Sequence, residues 1–187
     1  MDKQAQEIIN KYKYSHITGH PICNPEGLEV DFGSYGDGFV VSSHKTNRII
    51  YAGCSEELEN IIKEETDFIR NTYENSKVVR VYHRPNQVGC SDSHWLVEIE
   101  FEGKVETFRL HRTMNANWYL GWNSPYKYDE AKQMEREHHG KRDISNEYRY
   151  VCKMNILQNY WNFRVGHQVE KSKNFVSEVV SDMSIEV

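Results

Sequence analysis

Three histidines stand at the ends of predicted strands, where their rings are placed to hold a metal ion. His83 ends the run VVRVYH, His94 begins the next run, and His111 closes the one after it. If the three runs form an antiparallel meander, the rings gather at one edge of a sheet, with Cys90 and Asp92 in the loop above them. Zinc takes three ligands of this kind and keeps a fourth position open for water, which is the chemistry of a metal-dependent hydrolase.

The pairing of the last two runs is encoded locally. The stretch reads HWLVEIEF, then Glu102-Gly103, then KVETFRLHR. Two alternating runs joined by two such residues are typical of a tight β-hairpin. Residues whose numbers sum to 205 then oppose each other, which pairs Trp95 with Leu110, Val97 with Phe108, and His94 with His111.

Glu65 is a second candidate for chemistry, because it falls within the apolar stripe of a predicted helix over residues 55–75. A buried carboxylate needs a partner or becomes protonated. Two interpretations follow. Either Glu65 forms a salt bridge with an arginine of the sheet, which we expect, or it serves as a ligand or general base, a role that Asp92 would share.

The same helix predicts a charged surface. Ser55 is a suitable N-cap, and the side opposite the apolar stripe carries acids that suit contact with a basic protein partner. Aromatic residues of the segment 115–128 supply candidate binding anchors. The partner-binding residues predicted from these features are Glu56, Glu57, Glu64, Asp67, Glu74, Trp118 and Trp122. A ligand pocket lined by Trp118, Trp122 and Tyr126 is a further alternative.

The remaining elements indicate the fold class. Strands are predicted over 38–43, 48–52 and 78–83, and helices over 2–13, 129–139, 144–165 and 172–183. Together with the hairpin they predict an α+β fold: an antiparallel sheet of about five or six strands with two to four helices packed on one face.

Composition sets the remaining expectations. A chain of 187 residues with 38% hydrophobic residues predicts a single domain over residues 1–187. Its net charge of −5 and its scattered basic residues argue against nucleic acid as a partner. The lack of a secretory or membrane-spanning run predicts a cytoplasmic protein that does not bind membranes, with four reduced cysteines.

Residues 38–71, GFVVSSHKTNRIIYAGCSEELENIIKEETDFIRN, resemble a unit of small bacterial immunity proteins from polymorphic toxin systems. In that unit, two strands around a polar loop are followed by a helix that begins with Ser/Thr-x-Glu/Asp-Leu. The resemblance implies an acidic, cytoplasmic, single-domain α+β protein that binds and blocks a cognate toxin without a cofactor.

Two functions therefore follow from the sequence. The first is a non-enzymatic protein-binding protein without a cofactor, such as an immunity protein that neutralises a basic toxin domain. The alternative is a metal-dependent hydrolase with zinc on His83, His94 and His111.

Overall fold

A computed structural model describes residues 2–15, 20–21, 26–33, 38–84, 94–112, 118–173 and 184–185. In this part of the chain, helices α1 to α4 span Lys3–Lys11, Ser55–Glu74, Tyr128–His138 and Asn146–Lys173. Strands β1 to β10 span Tyr14–Ser15, His20–Pro21, Leu28–Phe32, Phe39–Ser43, Arg48–Ala52, Ser76–Arg84, His94–Phe101, Lys104–Arg112, Trp118–Trp122 and Ser184–Ile185. The antiparallel sheets and the helices confirm the α+β class.

The chain divides into two compact units. Unit 1 comprises residues 1–71 and 126–155, and unit 2 comprises residues 72–125 and 156–187. Both are discontinuous in sequence, because the chain leaves unit 1 within α2, returns before α3 and leaves again within α4. The expectation of one domain over residues 1–187 stays a prediction.

Unit 1 contains the three-stranded antiparallel sheet β3-β4-β5. Successive strands are joined locally, and the turn between β4 and β5 places Asn47 at a positive φ of 61°. Apolar side chains on alternate strand positions are buried, as the strand repeat of two requires. They share the unit's core with the apolar stripe of α2: Leu28, Val30, Val41, Ile50, Leu58, Ile61 and Ile69.

The outer edge of β5 is covered by the connection between α3 and α4. Gly140 accepts a hydrogen bond from the Tyr51 amide and donates one to the Ile49 carbonyl, both at 3.0 Å. Its φ of +76° is disfavoured for residues with a Cβ, and an added Cβ would lie 2.5 Å from the Tyr51 ring. Glycine is therefore required where this connection meets the sheet.

Unit 2 contains the meander β6-β7-β8-β9, to which the two-residue β10 adds at the β6 edge. The predicted hairpin register is confirmed from Trp95↔Leu110 to Phe101↔Lys104. Glu102 and Gly103 take φ values of 50° and 76°, as the turn requires. One face of this sheet and the second half of α4 supply the fully buried residues Val81, Val97, Ile99, Phe108, Ile156, Leu157, Val165 and Val169.

The sequence prediction of one sheet with five or six strands is wrong in its arrangement. The described strands form separate sheets, β3-β4-β5 and β10-β6-β7-β8-β9, with the short pair β1-β2 apart from both. Strands β3 to β5 and strands β6 to β9 each pair in sequence order, and the 20-residue helix α2 stands between these two groups in the sequence. Four helices agree with the predicted number, whereas their packing on one face stays a prediction.

One helix is longer than predicted. Helix α4 runs for 28 residues to Lys173, beyond the predicted end at residue 165. The predicted terminal helix over 172–183 falls almost entirely outside the described residues. The segment 115–128 contains the short strand β9, which the aromatic residues there allow.

Candidate functional site

Glu65 lies in a buried polar cluster of unit 1, as its position in the apolar stripe of α2 predicts. One carboxylate oxygen accepts a hydrogen bond from the Thr46 hydroxyl at 2.9 Å, and the other lies 3.0 Å from Nη1 of Arg48. The side chains of Arg48 and Glu65 are only 6% and 3% exposed. The expected salt bridge between Glu65 and an arginine of the sheet is therefore confirmed.

Arg48 connects this cluster to the segment between α3 and α4. Its Nη2 donates to the carbonyl oxygens of Lys141 and Arg142, at 3.0 Å each. From α4, the amide of Asn155 donates to the Thr46 carbonyl at 3.0 Å. Because Glu65 has a donor on each oxygen and a cation beside it, its charge is already used to hold the fold. This arrangement is a structural cross-link rather than a general base.

Tyr148 and Cys152 lie one turn apart on α4 in the same region. Burial raises the pKa of the Tyr148 hydroxyl above its usual range, and it raises the pKa of the Cys152 thiol to about 12. The reactive species of a cysteine is the thiolate, which such a pKa suppresses at neutral pH. Cys152 is therefore an inert core residue.

The strand register separates two of the three candidate metal ligands. His83 opposes Trp95, and Trp95 opposes Leu110, so these three side chains share one face of the sheet. His111 follows Leu110 in β8 and therefore projects from the opposite face. It stacks there on Tyr119, with ring centroids 5.0 Å apart.

The described residues give no geometric support for the zinc hypothesis. The side chain of His94 lies outside the described residues, as do Cys90 and Asp92. Within the described ranges, no three His, Cys, Asp or Glu side chains come together in a way that would hold a metal ion. The hydrolase alternative stays a prediction, and the opposite orientation of His83 and His111 disfavours it.

Two of the predicted partner-binding acids are engaged within unit 1. Glu64 forms a two-pronged ion pair with Arg142, and this hydrogen bonding lowers the pKa of the Glu64 carboxyl. Glu57 accepts a 2.7 Å hydrogen bond from the Gly53 amide ahead of α2. The carboxylates of Glu57 and Glu64 therefore take part in contacts that stabilise unit 1.

The other predicted acids are exposed. Glu56 and Asp67 project from the part of α2 in unit 1, and no ion pair or side-chain hydrogen bond from another described residue engages them. Glu74, at the end of α2, is exposed in the part assigned to unit 2. The acidic helix surface thus retains free carboxylates, although fewer than the sequence suggests.

The structure describes the side chain of only one of the two predicted tryptophan anchors. The side chain of Trp118 lies outside the described residues. Trp122 is half-buried in unit 2, where its indole Nε1 donates to Glu106 at 3.1 Å and its amide donates to Gln158 at 2.8 Å. Trp122 is thus held in place by its neighbours. The alternative ligand pocket of Trp118, Trp122 and Tyr126 stays a prediction.

A groove between α1 and α2 was not predicted from the sequence. It has a volume of about 350 Å³, and Ile8, Tyr12 and Ile62 supply its apolar lining. The start of α1 is fixed to the start of α2 by a 2.8 Å hydrogen bond from the Ser55 hydroxyl to Asp2. The hydrogen bond from the Ala5 amide lowers the pKa of the Asp2 carboxyl, and the Ser55 contact lowers it further.

Charged side chains surround the apolar lining of this groove. They are Lys11 of α1 and Glu59, Lys63 and Asp67 of α2. No hydrogen bond or ion pair joins any of the four to another described residue. The spacing of four between Glu59, Lys63 and Asp67 places them on one helix face, and this is the signal that sequence reasoning missed.

Comparisons with family models, with curated proteins and with solved structures each found no match to the chain.

Among the helices in the described ranges, none combines the length and the apolar character needed to cross a bilayer. The groove between α1 and α2, hereafter the α1–α2 groove, is a concave feature of unit 1 that combines apolar side chains with exposed charged ones. It is suited to binding a complementary surface.

Proposed function

We propose that this chain is a non-enzymatic binding protein that recognises another protein through the α1–α2 groove. The observation that supports this proposal is the arrangement of the groove, in which apolar side chains lie within a border of four charged side chains that form no ion pair with another described residue. Protein interfaces commonly have an apolar centre and a polar rim. Its volume falls at the low end of the range for small-molecule pockets, about 300–1,000 Å³, and the exposed charges at its border favour a protein surface as the occupant.

The charge distribution favours a partner with a basic surface. Unit 1 contains 14 basic and 18 acidic residues, whereas unit 2 contains 9 and 10, so most of the negative excess lies in the unit that carries the groove. Glu56, Glu59 and Asp67 are exposed on α2, and no other residue in the described part of the chain pairs with them. Such charges accelerate the encounter with a basic protein, and salt weakens that effect.

The biological setting that we propose is toxin neutralisation in the cytoplasm. This step rests on the resemblance of residues 38–71 to immunity proteins and on the acidic character of the chain. In this setting the partner is a basic toxin domain encoded next to this chain, and binding covers the surface on which the toxin acts.

The test is direct binding to the product of the neighbouring reading frame. We expect the wild-type chain to bind it, and we expect Glu59→Lys/Asp67→Lys to weaken the affinity at least tenfold, mostly through a slower association rate. The matched control is Asp129→Lys/Glu137→Lys, which makes the same charge change on exposed positions of α3. The control is expected to stay within about threefold of wild type.

Two outcomes would contradict the proposal. Equal losses in both charge-reversal variants would show that only total charge matters and that the groove has no special part. If the wild-type chain neither binds the neighbouring product nor rescues growth of cells that express it, the toxin-neutralising role fails.

A further inference from the structure

The β6–β9 sheet has one face that lies opposite the core of unit 2. The register aligns Tyr82 with Leu96, Leu96 with Arg109, and Arg109 with Gly121 across four strands. These positions alternate with the fully buried Val81, Val97 and Phe108. They therefore define the outer sheet face, which also carries His111 and Tyr119 in the next row.

The outer sheet face is exposed around Arg109 and Tyr119, whereas Leu96 between β6 and β8 is buried and Tyr82 is half-buried. Tyr119 is 46% exposed and stacks on His111 at 5.0 Å with an interplanar angle of 18°. Gly121 follows on the same face and adds no side chain beside the pair. Across the sheet, the Arg80 guanidinium lies over the Tyr82 ring at 4.0 Å.

Positive charge accompanies these rings. Arg109 is exposed, and no described residue forms a hydrogen bond or ion pair with its side chain. The acids of this face are Glu98, which lies in the row next to Arg109 and directly opposite Arg80, and Glu100, which lies one row further along β7. The net charge of −5 for the whole chain disfavours an anionic ligand. Unit 2, however, contributes only one of those five excess negative charges.

We propose that the outer sheet face binds single-stranded nucleic acid, with a base stacked on Tyr119 and a backbone phosphate held by Arg109. Aromatic side chains on an open surface stack unpaired bases of any sequence, and a guanidinium bonds two phosphate oxygens at once. An exposed sheet surface suits an extended strand better than a free nucleotide, for which an enclosing cavity is typical. This activity lies in unit 2 and is independent of the proposed protein-binding function.

The experiment measures fluorescence anisotropy of labelled oligouridylate and oligothymidylate with the full chain at low salt, about 50 mM. We expect micromolar binding, a tenfold or greater loss in Arg109→Ala/Tyr119→Ala, and less than a twofold change in Tyr119→Phe, which keeps the stacking ring. The matched control is Arg136→Ala/Tyr128→Ala, because both residues are exposed on α3. Arg109→Ala alone is expected to reduce the salt slope by about 0.7 for one lost phosphate contact.

Two results would overturn the proposal. In the first, the wild-type chain binds neither oligonucleotide. In the second, the Arg109/Tyr119 variant binds as tightly as the Arg136/Tyr128 control. A labelled polyglutamate peptide that binds as well as the oligonucleotides would identify the face as a general site for acidic protein segments. Circular dichroism verifies that the variants remain folded, and Glu59→Lys/Asp67→Lys in the groove is expected not to weaken nucleic-acid binding.

Discussion

Arg48 and Glu65 form a buried ion pair in which Nη1 of the arginine lies 3.0 Å from Oε2 of the glutamate. The same guanidinium holds the carbonyls of Lys141 and Arg142, so one side chain joins β5, α2 and the connection before α4. Removing a charge from water is costly unless it is paired and hydrogen-bonded. The pair therefore fixes the arrangement of unit 1 rather than supplying chemistry.

Glu65→Ala is expected to lower the free energy of unfolding by about 3–5 kcal/mol, because it leaves the Arg48 charge buried without its counter-ion. The matched control is Glu64→Ala at the adjacent position, where the ion pair with Arg142 is solvent-exposed. That change should cost about 1 kcal/mol or less. Urea denaturation measures both, and similar losses in the two variants would refute a special role for the buried pair.

Gly140→Ala is expected to lower the free energy of unfolding by about 1–3 kcal/mol more than Gly103→Ala does. Both glycines have a φ of +76°, so the left-handed backbone penalises alanine similarly at each. Only at position 140 does the added Cβ meet another group, the Tyr51 ring at 2.5 Å. Thermal denaturation gives the difference between the two variants.

A double variant tests the cause of that difference. Tyr51→Ala/Gly140→Ala removes the obstructing ring, so the excess penalty measured against Tyr51→Ala alone should shrink toward the Gly103→Ala value. A persistent excess would mean that the Cβ of residue 140 disturbs the strand-like bridge to Ile50 and not the ring.

Iodoacetamide at neutral pH is expected to alkylate Cys54 and to leave Cys152 unmodified in the folded protein. Cys54 is exposed ahead of α2, whereas Cys152 is fully buried and its thiol has a pKa of about 12. Peptide mass spectrometry follows each site separately. In urea both should react at similar rates, and native labelling of Cys152 as fast as Cys54 would contradict the described core.

Stability is expected to fall at alkaline pH. The folded-state pKa of the Cys152 thiol is raised from 9.0 to about 12, so folding favours its neutral form. The neutral thiol therefore contributes to the free energy of unfolding. This contribution is fully present below pH 9, where the unfolded chain also keeps the proton, and it is lost as the pH rises toward 12. Burial shifts Tyr148 in the same direction from 10.0.

The slope of unfolding free energy against pH, compared between wild type and Cys152→Ala, gives the contribution of the Cys152 thiol. Between about pH 9 and pH 11, Cys152→Ala should lose stability less steeply than wild type, by about 1 kcal/mol for each pH unit. Tyr148→Phe should reduce the slope mainly above about pH 10. Denaturant titrations across this range give the values, and parallel curves for wild type and Cys152→Ala would be incompatible with the raised pKa.

Local patterns were sufficient for most elements. The two-residue turn Glu102-Gly103 determined the register of β7 and β8, because turn length and side-chain alternation leave one pairing that buries the apolar face. The periodicity of α2 identified Glu65 as a polar residue on a buried stripe and predicted its salt bridge. Both features depend on residues close together in sequence or on a single unsatisfied charge.

The candidate sites needed more than local pattern. The metal hypothesis required His83 and His111 to share a face, and that depends on the pairing of β6 with β7, where a shift between Val78 and Arg80 changes the register. The α1–α2 groove depends on residues about fifty positions apart that no local signal connects.

The amino-acid sequence by itself determined the positions of α1 to α4, though not the end of α4, together with the central hairpin and the need of Glu65 for a cation. Short-range geometry and the cost of burying a charge act on neighbouring residues, which is why these features could be predicted. Only the tertiary structure decided that the described strands form separate sheets and that Arg48 is the partner of Glu65. It also decided that Arg142 binds Glu64, whereas no other described residue pairs with Glu59 or Asp67 beside the apolar groove. Such choices arise from contacts between residues distant in the chain, where several partners of equal chemistry compete and packing selects among them.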